Sequence, residues 1–312
     1  MIIKVLGSAA GGGFPQWNCA CGNCSRVRVG YSSVQNRSQA QVVLRLPTGS
    51  CFLLNASPDL RTQIISTPLL SPAHPPRDTP ISGVILTSAD VDSVAGLLHL
   101  REFQPLRIYA TPSVRRIVLE ENRIFRVLDR ANPPAVWEDV PLNTWFPLGA
   151  AGDFKGDAPV QCRMVPLGGT YPDYVSDGLR RSLPAEESVV GLVVAQGSKQ
   201  FFYAPTLPGN FDQSACNSLA ASSDVCMVDG TFWNENELIS SGVGTKTARE
   251  IGHVSLAGPG GLLRSFGSSM RGRRILIHIN NTNPILDEES PESREVRESG
   301  WEISYDGMEI EL

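Results

Sequence analysis

Short apolar runs recur along all 312 residues, at 41–46, 51–55, 83–86, 160–165, 189–195, 200–204, 225–228 and 274–277. Each has the length of a β-strand and is too short for a helix. Between them lie stretches of helical pattern at 96–103, 113–129, 212–221, 258–266 and 290–299. The last opens with Ser290-Pro291-Glu292, a capping serine followed by a proline in the first turn. Strands and helices mixed in this way imply an α/β layered architecture. No linker separates two halves, so one domain spanning residues 1–312 is expected. Residues 66–80, rich in proline, and 149–159, rich in glycine and aspartate, read as loops. Residues 166–184 hold glycines, prolines and tyrosines without periodicity, which suits either a binding loop or a plain surface excursion.

No apolar run approaches the roughly 18 residues that a membrane span requires. The opening Met1-Ile2-Ile3-Lys4-Val5-Leu6-Gly7 reads as a strand and not as a leader peptide, so a cytoplasmic location is expected. A formal net charge of -5 with no long basic run argues against a nucleic-acid partner.

Three of the seven cysteines crowd into Cys19-Ala20-Cys21-Gly22-Asn23-Cys24. Thiolates spaced C-x-C-x-x-C converge on one soft cation in a tight turn, and an odd cysteine count suits metal binding better than a disulfide framework. A structural zinc on Cys19, Cys21 and Cys24 is the expectation, against the alternative of a redox or incidental cluster. The fourth ligand is left open among His278, Asn280 and Asn281. Cys51, Cys162, Cys216 and Cys226 sit in apolar contexts and read as buried free thiols.

Several unusual strings bear a resemblance. They are Leu6-Gly7-Ser8-Ala9-Ala10-Gly11-Gly12-Gly13 with Pro15-Gln16-Trp17-Asn18-Cys19, then Asn55-Ala56-Ser57-Pro58-Asp59, and Gly96-Leu97-Leu98 with Leu100-Arg101-Glu102. Asp229-Gly230-Thr231-Phe232-Trp233, Gly242-Val243-Gly244-Thr245-Lys246-Thr247, Gly252-His253 and His278-Ile279-Asn280-Asn281-Thr282-Asn283-Pro284 continue the series. Together the strings resemble the B family of pyrroloquinoline quinone (PQQ) biosynthesis, within the metallo-β-lactamase superfamily. The resemblance implies an αββα four-layer sandwich with a metal site at one edge of two facing sheets. It also implies a role in making PQQ: as an iron-dependent oxygenase that hydroxylates the tyrosine of a precursor-derived Glu-Tyr unit, or as a carrier of PQQ or its precursor toward the periplasm. Other proteins of the pathway are implied as partners.

In the superfamily, the strand ending at Leu86-Thr87 is followed by a His-x-His-x-Asp-His loop that binds one or two metals. Here that loop reads Ser88-Ala89-Asp90-Val91-Asp92-Ser93, in which Asp92 keeps its usual identity, Asp90 replaces a histidine and Ser88 and Ser93 replace two more. Pro166-Leu167-Gly168-Gly169-Thr170 offers no histidine, and Tyr203-Ala204-Pro205-Thr206 lacks the aspartate that bridges two metals. A dinuclear hydrolase is therefore disfavoured. The resemblance leaves one metal, ferrous iron, on Asp92 and His278, with Asp90 or Ser93 nearby and Asp229 with His253 as a supporting acid and histidine. Relatives usually have a histidine at position 93, so this chain departs from a two-histidine, one-carboxylate site there. Asp90 and Asp92 also suit capping of the helix that starts near Ser93, and His74 and His99 read as non-catalytic. Two functions compete: oxidation of a tyrosine-derived PQQ precursor, and non-catalytic binding of PQQ or its precursor.

Overall fold

The computed structural model describes residues 1–102, 104–130, 132–149, 158–266 and 272–312. Most of the expected 149–159 loop and the end of the 96–103 helix lie outside the described residues. In chain order the strands are β1 (Ile2–Gly7), β2 (Gln41–Arg45), β3 (Cys51–Leu54), β4 (Ile81–Ile85), β5 (Arg107–Ala110), β6 (Val136–Asp139) and β7 (Trp145–Pro147). They continue with β8 (Val160–Gly168), β9 (Val189–Gln196), β10 (Lys199–Ala204), β11 (Val225–Asp229), β12 (Arg273–Ile277), β13 (Glu302–Ile303) and β14 (Glu309–Glu311).

Two seven-stranded sheets result, ordered β14-β1-β2-β3-β4-β5-β6 and β13-β12-β11-β10-β9-β8-β7. In the first, β14, β1, β2 and β3 pair antiparallel and β3 to β6 pair parallel. The second repeats that plan: β7 to β10 pair antiparallel and β10 to β13 parallel. Successive side chains on a strand point to opposite faces, and here both faces are covered. Val42, Leu44, Phe52, Leu54, Phe201, Tyr203, Ile275 and Ile277 fill the space between the sheets. Val43 and Leu53 face the helices outside the first sheet, whereas Phe202 and Leu276 face those outside the second. Three separate apolar cores bounded by two sheets make the αββα sandwich, and strands buried on both faces explain the unbroken apolar runs.

The helix at Pro291–Glu298 forms as expected, with the Ser290 hydroxyl accepting from Ser293 N at 2.9 Å. The 212–221 pattern also forms, as Gln213–Ala221 with the Asp212 side chain accepting from Ala215 N at 2.9 Å, whereas the remaining helices are shorter than their patterns. The 113–129 run breaks into Pro112–Arg116, a wide turn at Ile117–Glu121 and a tight one at Arg123–Val127, because Asn122 leaves helical space at φ -110°, ψ 72°. Helix 258–266 shrinks to Leu262–Ser265, because Gly258 and Gly260 adopt positive φ around Pro259. The 96–103 stretch is a tight helix at Ala95–Leu100, and the 166–184 excursion contains a helix at Asp177–Ser182. Among the described residues no helix is long and apolar enough to cross a membrane.

Candidate metal centre

The parallel strands of both sheets deliver their C-terminal ends to one edge of the sandwich, where open α/β sheets commonly gather functional groups. The loop after β4 carries Ser88, Asp90 and Asp92; β11 ends at Asp229, and His278 follows β12 directly. Two devices shape the first loop. Asn55, itself at φ +66°, donates through Nδ2 to Thr87 Oγ1 at 2.9 Å and accepts from Thr87 N at 2.8 Å. Gly96 then lets the helix pass close to the strand-end turn, since a Cβ there would lie 2.2 Å from Ser57 O.

His278 Nε2 lies 2.9 Å from Asp92 Oδ2. Its backbone is left-handed at φ +62°, a conformation that costs a non-glycine residue about 1–3 kcal/mol and tends to persist at functional sites. Asp229 is fully buried, with Oδ2 2.7 Å from His253 Nδ1 and Oδ1 accepting from Thr231 Oγ1 at 2.6 Å. The His253 and His278 rings stack at 5.3 Å, and Asp229, His253 and His278 each offer a ligand atom within 4.8 Å of the others. Burial opposes charge on His278, but its hydrogen bond to Asp92 and the charges of Asp92, Asp229 and Asp90 prevail and raise its pKa. Burial likewise opposes ionisation of Asp92, yet the His278 bond and the two histidines hold its pKa below the usual value.

Thr231 was not singled out by the sequence reading, although it lies two residues beyond Asp229. Its hydroxyl has one proton; donated to Asp229, it leaves Oγ1 to accept from His278 Nδ1, 2.9 Å away. That assignment presents Nε2 of His278 to the site, and the proton it shares with Asp92 is the one a metal ion would displace. The capping expectation for Asp90 is overturned. Its carboxylate makes no cap bond; instead it accepts from Ser88 Oγ at 2.7 Å, and Ser88 Oγ also reaches Ser93 Oγ at 3.2 Å. Asp92 likewise does not cap, being turned to His278. Burial and the neighbouring Asp92 raise the Asp90 pKa. His74 and His99 are exposed.

The second cluster holds the Sγ atoms of Cys19, Cys21 and Cys24 within 4.8 Å of one another. Of the three candidates for a fourth position, the structure brings Asn281: its Nδ2 lies 3.1, 3.6 and 3.4 Å from the three sulfurs in turn. The two ends of an amide interchange by a half-turn, so the same side chain can offer Oδ1 to a cation there. Asn280 is turned to Thr282 and His278 to Asp92. Asn23 secures the loop by donating to Asn281 O at 3.2 Å and Asn283 O at 2.9 Å. Burial pushes the Cys24 thiol up to about 11. For Cys21 burial acts in the same direction, but hydrogen bonds from Cys24 N–H and the Cys19, Cys24 and Asn281 side chains bring it below the usual range. Cys51, Cys162, Cys216 and Cys226 are buried and free, as expected.

Residues 51–279 match the beta-lactamase superfamily domain model. Coenzyme PQQ synthesis protein B of Pseudomonas protegens is 39% identical over 314 residues, covering 100% of both chains. The chain belongs to the coenzyme PQQ synthesis protein B family. The Gluconacetobacter diazotrophicus member is 39% identical over 310 residues, covering 99% of this chain and 98% of its own. The crystal structure of Zn(2+)-bound PqqB from Methylobacterium extorquens superposes with a TM-score of 0.89 at 36% identity over 100% of each chain.

Beside the candidate metal centre of this chain lies a cavity of about 510 Å³, lined by residues from Asp90 to Gly252, the residue before His253. Part of its wall comes from Gly169–Asp173, within the excursion whose function the sequence left open.

Proposed function

We propose that the chain takes part in PQQ biosynthesis by holding one ferrous ion at the Asp92–His278 edge and hydroxylating a tyrosine-derived precursor with dioxygen and a two-electron reductant. The observation that carries this reading is the donor set. One ionised carboxylate and one imidazole already share a proton at 2.9 Å, and a second imidazole, His253, has a ligand atom within 4.8 Å of His278's. Two histidines and a carboxylate are the donors that non-haem iron oxygenases use; here the ligand atoms of Asp229, His253 and His278 lie within 4.8 Å of one another, with Asp92 joined to His278 at 2.9 Å. Iron, when bound, would supply the activation of dioxygen. The protein's own residues do the rest: Thr231 and Asp229 orient His278 and His253, and Asp90 borders the substrate cavity. At the second cluster, three thiolates and the Asn281 amide fit a structural zinc.

The test is anaerobic reconstitution with ferrous iron, then addition of dioxygen, a reductant and a Glu-Tyr dipeptide. Oxygenated product is expected from the wild type and is expected to fall below about 1% of that level in Asp92→Ala. The carrier reading draws on the serines at positions 88 and 93. Binding of PQQ or the dipeptide without turnover in the wild type and in Ser93→His would establish it in place of the oxygenase.

A further inference from the structure

We propose that Arg249 anchors a carboxylate of the substrate in the cavity that Asp90 also lines, so that the protein selects anionic, amino-acid-derived molecules; this rests on the reading of that cavity as the substrate site. The cavity wall carries three acids and one arginine among its charged side chains. Two of the acids are engaged: Asp173 lies 3.6 Å from Lys246 Nζ, and Glu250 accepts from Thr247 N at 2.7 Å. The third, Asp90, faces the metal edge and accepts from Ser88.

Arg249 is held in a way that leaves its binding edge available. Glu235 Oε1 accepts the Arg249 backbone N–H at 3.0 Å while Oε2 lies 3.6 Å from Nε. Among the described residues Nη1 and Nη2 have no hydrogen-bond partner, which leaves the planar fork for a bidentate carboxylate. The aliphatic stem crosses Gly209, where an added Cβ would lie 3.2 Å from Arg249 Cγ. One residue thus lacks a side chain where the arginine passes, and one carboxylate aligns it. Arg249 also borders a second depression lined by Glu235 and Pro259, and its side chain is 59% exposed, so its guanidinium is open to an arriving ligand. Val189, Pro208 and Ile251 give the cavity apolar wall, which suits an aromatic ring.

The experiment is calorimetry under nitrogen on the metal-replete full-length protein. The probes are the Glu-Tyr dipeptide and the same dipeptide with both carboxylates amidated. A charge-assisted fork should make the wild type prefer the free dipeptide by about ten- to a hundredfold. Arg249→Ala is expected to collapse that ratio toward one by weakening the dipeptide alone, with unchanged metal content. Arg249→Lys should retain part of it, and Gly209→Ala should reduce it by displacing the stem. A wild type that binds neither probe or does not distinguish them, or an Arg249→Ala variant that keeps the wild-type ratio, would overturn the proposal. If the ratio behaves as expected but no oxygenated product forms under turnover conditions, the anchor stands and the oxygenase reading fails.

Discussion

The two candidate metal clusters sit on either side of one short loop and are assembled in opposite ways. The cysteines lie within six positions of one another and need only a local turn to meet. Asp92 and His278 are 186 positions apart, and their 2.9 Å contact depends on two sheets packing in register. Residues 278–283 serve both: His278 faces the open edge, Asn281 faces the sulfurs, and Asn283 Nδ2 ties the loop to Gly230 O at 2.9 Å. The cysteine loop needs only local turns to gather its sulfurs and takes Asn281 from the loop after β12, whereas the edge site inherits its geometry from the whole core.

The largest effect should come from attacking the local cluster. With zinc bound, closing that site contributes folding free energy, so Cys24→Ser should lower Tm by about 10 °C and release the tightly held zinc, read by scanning calorimetry and metal analysis. Because the loop is shared, the same variant should weaken metal at Asp92–His278. Binding linkage is reciprocal, so filling that edge should tighten the cysteine site by an equal factor. Independent affinities would break the comparison.

Next in size, Asp92→Ala and His278→Ala should each cost the edge site at least about a hundredfold in ferrous affinity while zinc stays in place; His99→Ala, on an exposed position, should change neither. Ser93→His should tighten iron about tenfold, since a neutral imidazole is a far better ligand than a hydroxyl. The absence of any gain would mean that His253 already fills the role.

The smallest expected effect concerns the strut between the clusters. Glu237 accepts from Trp233 N and Thr282 Oγ1, and burial raises its pKa to about 7. A carboxyl with a folded pKa above its unfolded value favours the native state when protonated. Its contribution therefore declines as pH rises from about 4.5 to about 7 and is flat above, by an amount on the order of 3 kcal/mol at most. Glu237→Gln should flatten the stability profile across that window in denaturant titrations. An unchanged slope would show that Glu237 does not titrate there.

What could be read from the sequence follows the same division. The cysteine cluster was legible because its spacing is its geometry. Strands buried on both faces, such as β3 and β11, announced themselves as apolar runs, whereas Val136–Asp139 ends in two acids and Trp145–Pro147 is three residues long, and both are partly exposed, so they pass for loop. Asp92, Asp229, His253 and His278 were legible through resemblance. Thr231 and Asn55 were not singled out, because a threonine or asparagine gains its meaning from the group it touches, and that contact spans two or more strands. The helix at Gly22–Arg28 is not legible in the sequence because it opens with Gly22-Asn23 and carries Val27 as its one aliphatic side chain, so no apolar stripe marks it.

The backbone at His278 has a consequence of its own. At φ +62° a glycine or asparagine would sit with less strain than a histidine, so drift alone would favour replacing it. The imidazole repays that disadvantage only while something draws on its Nε2. Position 278 therefore sets function against ease of folding within this chain: His278→Gly would relax the backbone and surrender the imidazole.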